Sequence, residues 1–177
     1  MIKGVDTMAR IFLALWPDEQ TVAAIEQVAN AMSWPTSSHR YKPEDYHLTL
    51  HFIGEVTEDR LQAIEYSLEV DFEPFNITLD ALRVWSSTIV VMVPEQIPPE
   101  LSQLHDRLAS RLVKAKLPVS EHAFSPHVTL ARHAPHMLLP TTVMPIIWRI
   151  NGYALMASTG DPAARYKLLA QYPATAH

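Results

Sequence analysis

Apolar and polar positions follow two rhythms along the chain, and the rhythms come in the same order twice. Arg10–Trp16 is an apolar run with weak alternation and predicts a buried strand. Pro17, Asp18 and Glu19 then open a helix, since proline is tolerated in a first turn and acids favour the helix N-terminus. Val22, Ile25, Val28 and Met32 follow at helical spacing. Trp34-Pro35 stops the helix, because a residue before proline avoids the α region. Thr36–Lys42 predicts a loop or a short edge strand. Tyr46–Ile53 predicts a strand of unusual polar content, ended by Gly54. Thr57 is the expected N-cap of a second helix with Leu61, Ile64 and Leu68 on one face.

The second half repeats the order. Phe75–Leu82 alternates through Phe75, Ile77 and Leu79, and Thr88–Val93 is strongly β-forming. Pro98, Pro99 and Glu100 open a helix whose apolar stripe is Leu101, Leu104, Leu108 and Leu112, and Leu117-Pro118 breaks it. Ser125-Pro126 leads into another polar-containing strand, His127–His133. Ile146–Ser158 and Arg165–Tyr172 predict two further strands around a turn at Thr159–Pro162. Strand, helix, polar strand therefore occurs twice. Phe12 lies 35 residues before His47, and Val90 lies 37 before His127. The near-match predicts a duplicated unit with pseudo-two-fold symmetry. The first seven residues carry no structural signal, so Met8 is read as the natural start.

Composition narrows the chemistry. The 177 residues are 48% hydrophobic and 19% charged, enough apolar matter for one core and too little charge for a disordered chain. The net charge of −5 disfavours coating long nucleic acid through bulk charge, though a few local cations could still bind a terminal phosphate. The absence of cysteine rules out disulfides, thiolate nucleophiles and Cys-ligated metal, and fits a cytoplasmic protein. Ile11–Trp16 is too short for a signal peptide core or a membrane span. None of the four glycines forms a GxGxxG or GxxxxGK[ST] loop.

The two polar strands carry the same tetrad, His47-Leu48-Thr49-Leu50 and His127-Val128-Thr129-Leu130. On a strand, residues i and i+2 share a face, so each tetrad turns one imidazole and one hydroxyl to a surface and two apolar side chains to the core. Pseudo-symmetry would bring both pairs to one cleft. Two imidazoles and two hydroxyls facing each other make a metal-free site for a phosphodiester. One neutral imidazole can activate water or a sugar hydroxyl, and one protonated imidazole can protonate the leaving oxygen. The threonines can bond non-bridging phosphate oxygens as charge builds. Arg132 suits a phosphate. However, strict alternation from His127 turns it to the opposite face, so it reaches the cleft only if the strand bends or ends there. By the same parity His51 shares the cleft face with His47, where it would touch substrate or shift the His47 pKa.

Rival chemistries fit less well. His47 and His51 would suit zinc on a helix, but on a strand i and i+4 stand roughly 13 Å apart. No HExxH, carboxylate cluster or GxSxG elbow is present. No metal and no cofactor is expected. His133 is read as a rim residue, His105 as surface, and Phe12, Trp16, Tyr41, Tyr46 and Phe52 mostly as core, with base stacking as their alternative. Arg165 and Lys167 supply local positive charge or solvate an edge strand. Pro135–Pro145, rich in proline and without periodicity, is the candidate for a loop that closes over the cleft.

Paired His-x-Thr-x tetrads about eighty residues apart resemble the 2H phosphoesterase superfamily. The match is nearest its bacterial branch of RNA 2′,3′-cyclic phosphodiesterases, historically called 2′-5′ RNA ligases. The stretch His47–Glu55 is similar to that branch's HLTLxFLGE pattern, and Pro126–Arg132 to its PHxTLxR pattern. Arg10–Leu15 and Arg165-Tyr166 fit the same branch. His51 departs from it, standing where the branch commonly has a small residue. The resemblance implies an α+β fold in which a single bilobal domain, residues 1–177, has antiparallel sheets lining a V-shaped cleft and helices outside. It implies hydrolysis of an RNA-terminal 2′,3′-cyclic phosphate to a 2′-phosphate, with His47 as proton donor, His127 as proton acceptor, and Thr49, Thr129 and Arg132 on phosphate oxygens. The same attack with a 5′-hydroxyl RNA end replacing water would reversibly form a 2′-5′ linkage without ATP or metal. The implied partners are RNA ends, such as tRNA fragments, or small cyclic nucleotides, with no membrane and a monomeric chain. The alternatives are an RNA-end binder with little turnover, or an enzyme acting on ADP-ribose cyclic phosphate.

Overall fold

A computed structural model describes residues 7–175; of the first seven residues, which bear on the reading of Met8 as the start, six lie outside that range, and the Thr7 carbonyl accepts from the Glu58 amide at 3.0 Å. The order is β1 (Met8–Leu15), α1 (Glu19–Asn30), β2 (His39–Arg40), β3 (Leu48–Thr57), α2 (Leu61–Ser67), β4 (Phe75–Leu79), β5 (Ala81–Trp85), β6 (Ile89–Val93), α3 (Pro99–Lys114), β7 (Val128–Arg132), β8 (Ile146–Ile150), β9 (Gly152–Ser158) and β10 (Tyr166–Pro173). Every pairing is antiparallel, and the fold is α+β, as expected.

Seven strands run in the order β10-β9-β1-β3-β7-β6-β5, and β2 adds an eighth beside β7. The order shows the duplication. β1-α1-β3 corresponds to β6-α3-β7, and the two halves meet at the β3–β7 seam through a single bridge, Leu48 opposite Val128. A separate ladder joins β4 to β8, with Ile77 opposite Trp148. α1 packs on β8, whereas α3 packs on β4 and β3.

Local chemistry explains the helices. Asp18 caps α1 by accepting from the Thr21 amide at 2.7 Å. Its buried residues are Thr21, Ile25 and Ala29; Val22 and Val28 of the expected stripe are only half-buried. The helix ends before Trp34, whose indole Nε1 donates to the Ala29 carbonyl at 2.7 Å and satisfies one of its last acceptors. α3 buries all four leucines of its stripe. Each contributes about 2 kcal/mol by leaving water, so Leu108→Ala would cost about 2–5 kcal/mol with its cavity.

The strands correct the sequence reading in four places. Gly54 does not end β3 but lies within it at φ +95, beside a bulge at Ile53 where the β1 pairing slips from Phe12–Phe52 to Ile11–Gly54. Thr57 precedes a 3-10 turn rather than α2 itself, and its hydroxyl makes no cap bond. Phe75–Leu82 is two strands in different sheets, broken at Asp80, whose carboxylate accepts from the Glu95 amide. Ile146–Ser158 likewise divides at Asn151. Such breaks leave the alternation almost intact, so periodicity alone does not reveal them.

Candidate active site

Both tetrads sit at the seam and share one backbone geometry. Tyr46–Leu50 and Pro126–Leu130 show the same alternation of buried and half-buried residues, with both histidines and both threonines on the half-buried face. The antiparallel register centred on Leu48–Val128 sets His47 on the Thr129 side and His127 on the Thr49 side. Each imidazole is anchored alike. His47 Nδ1–H donates to the Asp45 carbonyl at 2.8 Å, and His127 Nδ1–H donates to the Ser125 carbonyl at 2.8 Å. A carbonyl only accepts, so each neutral ring keeps its proton on Nδ1 and leaves Nε2 for the cleft.

Both tetrads also end in the same irregularity. Two residues of β3, Leu50 and His51, oppose one step of β1, because Leu13 pairs with His51 and Ala14 with Thr49. On β7, Leu130 is the extra residue between Thr129, opposite Val91, and Ala131, opposite Val90. A bulge turns two consecutive side chains inward and resets the alternation beyond it. Two expectations change as a result. Arg132 returns to the face of His127 and Thr129, exposed, with its Nε donating to the Tyr41 hydroxyl at 3.1 Å. His51 does not share the cleft face. It pairs with core residue Leu13, is 3% exposed, and has Nε2 bonded to the His105 carbonyl at 2.8 Å. Phe52 takes the cleft-facing position instead, 51% exposed, with the Arg10 guanidinium 5.5 Å above its ring.

The neighbours of the two imidazoles differ. His47 lies parallel to the Trp16 indole at 4.9 Å, with Phe12 tilted at 5.4 Å and Tyr166 edge-on at 5.0 Å. His127 meets one aromatic ring, Trp85, edge-on at 4.4 Å. Burial first, then the charge of His127, hold the His47 pKa below its ordinary value against the raising effect of the Asp45 carbonyl. Burial likewise lowers His127, and the Arg132 cation adds to the lowering, while the Ser125 carbonyl opposes both. That each imidazole feels its counterpart or Arg132 follows from their meeting at one site.

A chain of contacts links the two sides. From Arg132 it passes to the Tyr41 hydroxyl, and then to the Arg165 guanidinium 4.9 Å from the Tyr41 ring. Arg165 Nε stands 3.8 Å from buried Asp45 Oδ2, and the Asp45 carbonyl holds His47. Burial raises the Asp45 carboxyl above its ordinary value and Arg165 pulls it back. Tyr166, pushed up to about 12 chiefly by burial, stays a neutral phenol at working pH. Two guanidiniums therefore flank Tyr41 in a chain of net charge −5.

Sequence reasoning overlooked Asp45 and Trp85 and placed Trp16 in the core. A tryptophan closing a strand before a Ser-Ser turn was the available signal for Trp85; Ser86 and Ser87 both adopt positive φ. Tyr46, by contrast, is core. His133 is exposed, as expected, but His105 stacks between His51 and Phe124 rather than lying free on the surface. Pro135–Pro145 lies along α1 and closes a groove of about 1100 Å³ lined also by Trp34 and Ile147, and that groove includes no tetrad residue. Among the described residues no three His, Cys, Asp or Glu side chains cluster to hold a metal, and no helix is long and apolar enough to cross a membrane.

Two imidazoles on one face, each anchored through Nδ1–H, with two threonines and a guanidinium nearby, form a group of side chains with the chemistry for proton transfer beside an anion. The chain belongs to the 2′-5′ RNA ligase superfamily, which matches it over residues 16–160. It is 29% identical over 127 residues to the RNA 2′,3′-cyclic phosphodiesterase of Archaeoglobus fulgidus, covering 70% of this chain and 72% of that protein. It is also 29% identical over 128 residues to the Escherichia coli (strain K12) protein of the same name, covering 71% and 73%. The crystal structure of E. coli LigT complexed with 3′-AMP superposes with a TM-score of 0.86 at 25% identity, covering 96% of this chain and 100% of that one.

Proposed function

We propose that this chain, as one bilobal domain, hydrolyses the terminal 2′,3′-cyclic phosphodiester of RNA to a 2′-phosphate, using two histidines and no metal. His127 Nε2 takes a proton from water as the water oxygen bonds to phosphorus. The P–O3′ bond breaks, and His47 Nε2–H gives its proton to the departing 3′ oxygen. Thr49, Thr129 and Arg132 hold the non-bridging oxygens while negative charge builds on them. The turnover leaves a proton on His127 and none on His47, and exchange with solvent resets both. Run in the same direction with an RNA 5′-hydroxyl in place of the attacking water, the same steps form a 2′-5′ linkage: the 5′ oxygen gives its proton to His127 and bonds to phosphorus as P–O3′ breaks and His47 protonates the 3′ oxygen.

One observation supports this reading above the others: the two tetrads lie side by side across Leu48–Val128 with their histidines and threonines on one face, each imidazole anchored through Nδ1–H on a carbonyl two residues back. The division of roles has a physical basis. Burial lowers both rings, but the indole face parallel to His47 opposes that by attracting an imidazolium, which suits a donor, whereas at His127 the Arg132 cation adds to burial in favouring the neutral ring, which suits an acceptor.

The test is a panel of 2′,3′-cyclic mononucleotides, a cyclic-phosphate-ended oligonucleotide and ADP-ribose cyclic phosphate, with and without EDTA. A 2′-phosphate product formed equally in EDTA is expected. A 3′-phosphate product would reverse the leaving oxygen, and tight binding without any product would replace the enzyme by an RNA-end binder.

A further inference from the structure

The carbonyls that anchor the two histidines are not supported alike. Asp45 closes a 3-10 turn, Pro43–Asp45, with its amide bonded to the Lys42 carbonyl at 2.9 Å and its carboxylate beside Arg165. Ser125 has no such frame. From Pro118 to Pro126 the chain has no regular element, and among the described residues this stretch makes no backbone–backbone hydrogen bond of its own. Side chains must fix it. Phe124, adjacent to Ser125, stacks on the His105 ring of α3 at 4.0 Å and 17°. His105 in turn stacks on His51 at 4.0 Å and 19°, and the His51 Nε2–H holds the His105 carbonyl. His51 reaches this position because the Leu50 bulge turned it inward.

We infer that the three-ring stack His51–His105–Phe124 is a positioning device that sets the Ser125 carbonyl and through it the tautomer and pose of His127. The inference rests on the proposed role of His127. Its logic is geometric. A flexible loop would let the Ser125 carbonyl wander, and the imidazole would then sample both tautomers and turn Nε2–H, rather than its lone pair, toward the water. Rings stacked at van der Waals distance resist sliding, and β3 and α3, which carry two of them, are rigid elements. The carbonyl of the third ring's neighbour inherits that rigidity. Phe124, His105 and His51 touch no reacting atom, so they act through His127 alone.

The test compares Phe124→Leu, which keeps apolar bulk without a ring, with Phe124→Tyr and His105→Phe, which keep a ring. Nitrogen-15 spectra of the His127 imidazole, taken on the full chain without substrate, read the tautomer directly. Wild type, Phe124→Tyr and His105→Phe are expected to show one Nδ1–H tautomer and near wild-type kcat. Phe124→Leu is expected to show a tautomer mixture. Its kcat should fall about tenfold to a hundredfold with KM nearly unchanged, the cost of slight misplacement of a catalytic group. Its acidic pH limb should also move down, because a carbonyl bond that favours the charged ring has been lost. A Phe124→Leu protein with a single Nδ1–H tautomer and full kcat, merely less heat-stable, would reduce the stack to packing. Equal losses in Phe124→Leu and Phe124→Tyr would overturn the role of the ring. A wild type inactive on every cyclic phosphate, yet showing the expected tautomers, would sink the functional reading and leave the stack's control of His127 standing.

Discussion

The two halves of the cleft start from one plan and finish with different surroundings. Each contributes a tetrad, a carbonyl anchor at 2.8 Å and a bulge at the tetrad's fourth residue. Around His47 the neighbours are aromatic: Trp16, Phe12 and Tyr166. Around His127 they are one edge-on tryptophan and a guanidinium. Five residues beyond each histidine, the corresponding position is Phe52 in one half and Arg132 in the other. Duplication supplies two equal imidazoles, but the acid–base catalysis proposed for them needs them unequal at the moment of reaction. Here the backbone repeats and the side-chain environment breaks the symmetry.

The largest effect should come from removing either carrier. His47→Ala and His127→Ala are each expected to lower kcat by about 100- to 10,000-fold on a cyclic-phosphate substrate. The surviving pH profile separates them. Loss of the donor should abolish the alkaline limb in His47→Ala, and loss of the acceptor the acidic limb in His127→Ala. Limbs lost the other way round would exchange the two roles.

Next comes the pair beyond the bulges. Arg132→Ala is expected to cost about tenfold to a hundredfold in kcat/KM, the value of a charge-assisted bond to phosphate. The same change removes a cation that lowers His127, so that pKa rises and the acidic limb moves to higher pH. Phe52→Ala should leave the limb in place. A limb that fails to move in Arg132→Ala would mean that the two halves are not electrostatically distinct.

A subtler change probes the aromatic side. Trp16→Leu keeps His47 buried but takes away the π face that favours its charged form. An activity loss of about threefold to tenfold is expected, with the alkaline limb moving to lower pH. Steady-state rates across pH read both, and an unmoved limb would assign His47's donor role to some other cause.

The smallest effect concerns stability. His47, His51, His105 and His127 all have pKa values lowered chiefly by burial. The unfolded chain therefore takes up protons first as pH falls. The stability these groups contribute is complete above the ordinary histidine value and drains away below it, at up to about 1.4 kcal/mol per pH unit for each ring. Melting temperature should thus drop between about pH 7.5 and about pH 5.5, and His105→Phe should flatten the drop. A melting temperature that is flat over that range would show that these rings are not held neutral by the fold.

Much of this could be read along the chain. The Leu101, Leu104, Leu108 and Leu112 stripe predicted α3, and all four are buried. Asp18 marked the start of α1 and caps it. The tetrads announced two hydroxyls and two imidazoles on half-buried strand faces, and they lie there. These are local matters: a 3.6-residue or two-residue period, a capping side chain, a proline. They depend on residues within a few positions of one another, so the linear order contains them.

Where Arg132 and His51 point was a different kind of question. Strict alternation sent the arginine away from His127 and the second histidine toward His47; both went the other way, for one reason. A bulge is a mismatch between a strand and its partner, so it is created by β1 against β3 and by β6 against β7, segments dozens of residues distant in sequence. The same holds for the indole laid on His47, the guanidinium beside His127 and the ring stack behind Ser125. The order of residues determined which chemical groups this protein owns and how each short element forms. Tertiary pairing alone decided which of those groups meet, because register and contact are properties of two segments brought together and neither segment contains them by itself.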